Sequence, residues 1–178
     1  ARWGLGVGLP KAVFSDGGRF GYEDDGETPN TQHATFDYDG AVLQFEVRGL
    51  PTNDEQTVRV GNIFYGSEGY MVVNRGKWQT FMGANSEPGP SGPTPDAQGV
   101  DHFQNFAEAV KTRNTESLNA PVEEGHLSSA LCHLANISFR LGRKLQFDAK
   151  AEKFVGDKEA DAMLTRQYRK PFVVPENV

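Results

Sequence analysis

Cysteine is almost missing from this chain: Cys132 is the only one in 178 residues. No intramolecular disulfide can staple the fold, so its stability has to come from a packed core. The apolar helical pattern around Cys132 predicts a buried, unreactive thiol, which leaves the redox compartment open. Positive charge is also short. With 18 Lys plus Arg against 24 Asp plus Glu, a net charge of −6 and a pI near 5.2, the surface lacks the basic excess that nucleic acids or anionic membranes require. A neutral small molecule or another protein surface suits it better. Long apolar runs are absent as well. Nothing approaches the roughly 20 residues that span a bilayer, and no charged stretch followed by an apolar one opens the chain. Whether it acts in the cytoplasm or is exported stays open.

Aliphatic content is modest, with 37% hydrophobic residues and a mean hydropathy of −0.56, but 12 Phe, 5 Tyr and 2 Trp supply large apolar bodies. The length suits a single domain over residues 1–178. Asp39-Gly40 is a strong hairpin signal between two alternating runs. Ala34, Phe36 and Tyr38 on one side face Leu43, Phe45 and Val47 on the other, so one sheet face is buried. Type I′ geometry is expected at that turn. Residues 58–65, 70–73 and 78–81 read as further strands of an antiparallel meander, separated by turn-forming Gly, Ser and Asn. Residues 12–15 read as an edge strand.

Between residues 87 and 99, Pro88, Pro90, Pro93 and Pro95 predict a surface loop in which neither helix nor ladder propagates. Asp101 then caps a helix with Gln104 three positions on, and Phe103, Phe106 and Val110 give it one apolar side. A second helix over residues 122–141 has acids in its first turn, Gly142 as its stop and a stripe of Leu127, Leu131, Leu134, Ile137 and Leu141. A weaker third helix runs from Asp157 to Leu164, and Lys170-Pro171 opens an extended tail. Strands first and helices afterwards indicate α+β: an open, predominantly antiparallel β-sheet with helices packed on one face.

Candidate chemistry is sparse. Gly4-Leu5-Gly6-Val7-Gly8 lacks the spacing and the following helix of a phosphate loop, so a glycine-rich connection is the plainer reading. His126 and His133 share a helix face without a third metal ligand. His126 reads as a helix-end histidine bonded to backbone. Glu23, Asp24, Asp25 and Glu27 lie in a loop, where a solvated surface outweighs a catalytic carboxylate pair. Asn136-Ile137-Ser138 matches a glycosylation acceptor only by chance inside a helix. Asn30, Thr31, Gln32 and His33 could read hydroxyl groups, and with Trp3, Tyr65 and Trp78 they offer the mixture that carbohydrate sites use. Ordinary strand-end polarity explains the same residues equally well.

Pro29-Asn30-Thr31-Gln32, the run Phe45 to Gly49, and Gly61-Asn62-Ile63-Phe64-Tyr65-Gly66 resemble the C-terminal half of bacterial Gfo/Idh/MocA oxidoreductases. So do His102-Phe103-Gln104-Asn105-Phe106, Glu123-Glu124-Gly125-His126, Cys132-His133-Leu134-Ala135-Asn136, Arg140-Leu141-Gly142-Arg143 and the closing Leu164-Thr165-Arg166-Gln167-Tyr168-Arg169. The resemblance implies a two-domain enzyme. A Rossmann domain, absent from this chain, would hold NAD or NADP, and the open sheet would wall a pocket for a sugar-like substrate and mediate homo-oligomer contacts through a sheet face. The family's catalytic Lys of a Lys-Pro motif and its His on the preceding helix have no counterpart here. Ala1-Arg2-Trp3 looks like the end of that helix, a start inside a folded element. The fragment alone is therefore expected to be inactive and to bind no nucleotide. By position, the resemblance points to Arg2, Trp3, Asn30 and His33 for the substrate, and to Tyr168 and Arg169 for the cofactor side. The competing reading is a non-catalytic carbohydrate-binding or dimerisation module.

Overall fold

The computed structural model describes residues 1–56, 58–93 and 101–175. It divides into two compact units, Ala1–Leu50 with Val122–Val178, and Pro51–Pro121.

The first unit holds a five-stranded sheet whose pairings are all antiparallel. Its strands are β1 (Ala12–Gly18), β2 (Thr31–Tyr38), β3 (Ala41–Arg48), with β8 (Leu145–Asp148) and β9 (Lys153–Phe154), in the order β3-β2-β1-β8-β9. The expected hairpin joins β2 to β3 with Tyr38 opposite Ala41. Its turn differs from type I′: Gly40 alone takes positive φ, at 84°, while Asp39 is held through its carboxylate by Lys11 Nζ at 2.8 Å. Residues 12–15 are not an edge. β1 extends to Gly18 and lies in the middle of the sheet, because Ala12 and Val13 also pair with Gln146 and Leu145 of β8. That strand follows a helix and is only four residues long, too short for its alternation to stand out.

The helix α3 (Val122–Leu141) covers one face of this sheet. Of its expected stripe Leu131, Leu134 and Ile137 are buried and Leu141 packs partly against them, while Leu127 stays outside the cluster; Leu134 and Ile137 meet Val13, Phe36, Leu43, Leu145 and Phe147 in a single buried cluster. Each such side chain contributes about 2 kcal/mol by leaving water. Leu5, Val7 and Leu9, around and after the short helix α1 (Arg2–Leu5), lean on the same cluster. α3 also replaces a missing strand. β8 pairs with β1 only at Ala12 and Val13, and beyond them the Ser15 N–H donates to Ser138 Oγ at 3.0 Å, while that hydroxyl donates to Arg143 O at 2.8 Å. Cys132 lies one residue off the stripe and is exposed, contrary to the expectation of a buried thiol. One residue turns a helix by about 100°, enough to leave the covered side. The third helix, α4 (Lys158–Ala162), stops short of Leu164, and Asp157 caps it by accepting from Ala160 N at 3.0 Å.

The second unit is a four-stranded antiparallel meander, β4 (Gly61–Tyr65), β5 (Gly69–Asn74), β6 (Lys77–Met82) and β7 (Glu87–Pro93). A helix, α2 (His102–Thr112), follows, with Asp101 accepting from Gln104 N at 3.0 Å as its N-cap. β7 occupies residues expected to be a loop; the rest of that expected loop, residues 94–99, lies outside the described residues. Proline is tolerated in a sheet only at an edge, and β7 is one. Side chains supplement its weakened ladder at an irregularity between Gln79 and Phe81: Thr80 Oγ1 donates to Pro90 O at 2.6 Å and Gln79 Nε2 to Gly89 O at 3.0 Å. The architecture is therefore α+β with two open antiparallel sheets rather than one.

Candidate functional site

Of the expected site residues, Arg2 is the most enclosed. It lies on α1 with 7% of its surface exposed. One guanidinium nitrogen donates to Val7 O at 2.8 Å, and another pairs with Glu124 in the first turn of α3. Arg2 Nε and the Tyr38 hydroxyl are both buried without a hydrogen-bond partner among the described residues. Burial pushes the Tyr38 phenol up to about 12, and the positive charge of Arg2 pulls it the other way. Trp3, the next residue, is 82% exposed.

Asn30 and His33 sit at the opposite end of β2. Five residues separate His33 from Tyr38, roughly 17 Å along a strand. Asn30 is buried and its amide closes a loop: Nδ2 donates to Phe20 O at 2.9 Å and Oδ1 accepts from Phe20 N at 3.1 Å. His33 lies on the sheet face that α3 does not cover, with Nε2 3.1 Å from Glu46. Arg48 and His33 together hold the Glu46 carboxyl below the usual range, Arg48 contributing more through its 2.7 Å hydrogen bond. Tyr168 and Arg169 belong to the tail after α4, where Arg169 stacks over Phe172 at 5.4 Å. The six residues thus come from three stretches of the chain: α1, the start of β2 and the tail after α4.

Tyr38 and Glu124 were missed as companions of Arg2. Alternation marks Tyr38 only as inward-facing, and Glu124 reads as a first-turn acid, so nothing local joins them to position 2. His126, expected to bond to backbone, meets both Glu152 oxygens at 3.0 and 3.1 Å. Arg19 ties the acidic loop down by donating to Thr28 O at 2.7 Å and pairing with Asp24. The aromatic candidates also separate, since Tyr65 and Trp78 occupy opposite faces of the meander: Tyr65 is level with Tyr70 and Phe81, Trp78 with Val73 and Gly92. An open depression of about 370 Å³ lies beside Trp78, lined also by Lys77, Gln79 and Ser91. A Cβ at Gly92 would come within 3.2 Å of the indole, so a larger residue there would press the ring aside by a few tenths of an ångström. Among the described residues no three His, Cys, Asp or Glu side chains gather as metal ligands.

Residues 91–174 match the Gfo/Idh/MocA family model described as "Oxidoreductase family, C-terminal alpha/beta domain". Just under half of the chain thus matches a Gfo/Idh/MocA C-terminal domain. Among solved structures it is similar to a candidate oxidoreductase from Klebsiella pneumoniae, at 14% identity and a TM-score of 0.57 over 88% of this chain and 48% of that one. A second, from Bacteroides fragilis, gives 14% identity and a TM-score of 0.56 over 78% of this chain and 48% of that one. At that identity they share the fold, and the chain spans about half of their length. A search of curated proteins gives no match.

The described residues do not fit a nicotinamide dinucleotide. Every strand pairing among the described residues is antiparallel, so there is no βαβ crevice at the carboxyl ends of parallel strands. The glycine-rich run ends a four-residue helix at Gly6, φ 65°, instead of opening one.

Proposed function

We propose that this domain is the substrate-side, self-associating part of an NAD(P)-dependent oxidoreductase acting on a sugar or sugar derivative at a carbinol carbon. The match of residues 91–174 to an oxidoreductase C-terminal domain carries the reading. In it, a nucleotide-binding domain outside this chain holds the cofactor and supplies the hydride chemistry. This chain's own residues wall the substrate and exclude water. Arg2, clamped between Val7 O and Glu124, fixes the orientation of α1, so that exposed Trp3 offers a ring to the apolar face of a sugar. His33 contributes a polar edge, and Asn30 acts indirectly by shaping the loop from Phe20. Tyr168 and Arg169 serve the cofactor side.

The test is kinetic. The coding sequence upstream of Ala1 should specify a glycine-rich strand-turn-helix unit, and the protein expressed with it should reduce NAD or NADP in the presence of sugars. Alanine at Trp3 or Tyr168 should lower kcat/KM about tenfold or more. No nucleotide-binding unit upstream, or unchanged kcat/KM in both variants, would sink the reading or the site assignment respectively.

A further inference from the structure

Among the described residues the two sheets end in four outer strands, and three of these are guarded. β7 carries three prolines, β9 is two residues long and begins with Lys153, and β3 carries Glu46 and Arg48 as an ion pair. Charge, proline and brevity are the usual means by which a sheet edge is kept from pairing with another chain. β4 has neither charge nor proline in any of its residues. Its hydrogen bonds show which groups face outward. Gly66 N donates to Gly69 O at 2.8 Å, one step beyond the paired Tyr65 and Tyr70. In an antiparallel ladder bonded pairs alternate with unbonded ones, so Asn62 and Phe64 direct their backbone groups to β5. Gly61, Ile63 and Tyr65 turn theirs to the outer side, where no described strand lies.

A row of aromatic side chains is cut short at the same edge. Tyr65, Tyr70 and Phe81 lie opposite one another on successive strands, with ring centroids 5.7 and 4.8 Å apart and the last two stacked at 17°. Tyr70 has a ring on either side. Tyr65 has one on its inner side only and is 73% exposed. An aromatic residue on a further strand would stand opposite Tyr65 at ordinary strand spacing and continue the row by the cross-strand pairing that stabilises sheets. Ile63, two residues back on the same face, suits an aliphatic neighbour. Charge orients the incoming strand. Arg59 precedes β4, and Arg75 follows Asn74, which faces Gly61, so the Gly61 end is positive, while Glu68 lies just past the Tyr65 end. A strand laid antiparallel, as in every pairing of this sheet, then presents its aromatic residue first, the aliphatic one two positions on, and its acidic residues last. A second copy of β4, paired along the whole strand, would set Tyr65 against Gly61 and leave the row unfinished. We propose that the outer edge of β4 receives an extended segment of another protein, aromatic at its start and acidic at its end, as a fifth strand of the meander. Binding of this kind requires no part of the proposed oxidoreductase chemistry.

Peptide titration of the isotope-labelled, complete chain, followed by NMR, tests it. With the probe acetyl-Thr-Tyr-Thr-Val-Thr-Thr-Asp-Glu-amide, amide signals of residues 61–65 should shift saturably, with a Kd of about 1 mM. Serine in place of the peptide's tyrosine should weaken binding about fivefold. Lysine in place of both acids should weaken it as well, and that difference should fade in high salt. Ile63→Pro removes one outward N–H and spares the bonds between β4 and β5, a change that an edge strand tolerates, and should abolish the shifts. Tyr65→Lys, which gives the strand the charge that guards natural edges, should weaken binding at least about tenfold, and it decides the matter where the proline variant loses its β4 signals. Shifts that centre on β3, or that survive both variants unchanged, would overturn the assignment. So would concentration-dependent shifts in residues 61–65 without peptide, which would name a second copy as the occupant. No saturable shift up to ~10 mM peptide would remove the site altogether.

Discussion

The Tyr38 hydroxyl is a buried polar atom without a partner among the described residues, and such a group costs desolvation energy. Tyr38→Phe removes the group and keeps the ring, so thermal denaturation near neutral pH should show an unchanged or raised Tm. The same substitution has a pH signature. The folded phenol titrates near 12 against an ordinary value of 10.0. Between those values the unfolded chain releases a proton that the folded chain keeps, so stability falls as pH rises through this window. In the Phe variant this part of the alkaline loss should vanish; an identical decline in both proteins would count against the assignment. The inward direction of Tyr38 was legible from its alternation with Ala34 and Phe36. Its proximity to Arg2 was not, because the two residues lie far apart in sequence and meet only once α1 and the sheet have docked. Cys132 failed for the opposite reason: the neighbouring apolar residues were read correctly, but one step around a helix changes the side.

Local grammar served the long elements best. The hairpin strands β2 and β3, the caps at Asp101 and Asp157, and the stripe of α3 all follow from alternation, capping chemistry and the 3.6-residue period. β7 was hidden because three prolines normally argue against a strand, and only its place at an edge makes it possible. β8 and β9, at four and two residues, were too short to register. Asp157 joins several of these pieces. It caps α4 through Ala160 N and takes a bidentate contact from Arg143 at 2.9 and 3.0 Å. The Ala160 N–H first and Arg143 second hold its carboxyl below the usual range. A lowered folded value means the contribution is present above the ordinary carboxylate pKa and is lost as pH falls through the folded one. Asp157→Ala should therefore speed amide exchange in residues 153–163 at neutral pH, whereas at strongly acidic pH variant and wild type should converge. Unchanged protection at neutral pH would show that α4 needs no cap.

At the scale of the whole molecule, the buried hydrophobic cluster belongs entirely to the unit formed by Ala1–Leu50 and Val122–Val178. The meander depends on a single layer. Hydrogen exchange should accordingly be faster in β4 to β7 than in β1 and β2, by a hundredfold or more if the difference in opening energy is about 3 kcal/mol. Equal protection in the two sheets would contradict that order. The fold class was legible from the order of element types. The candidate site was less so, because its residues come from α1, both ends of β2 and the tail, and only the family resemblance connected them. The prolines of β7 have one more consequence. Three of its seven residues lack an N–H, so this margin offers a poor template to an incoming chain. A sheet that can be lengthened from one side only cannot propagate as a fibre, and the molecule thus keeps its aromatic surface without inviting polymerisation.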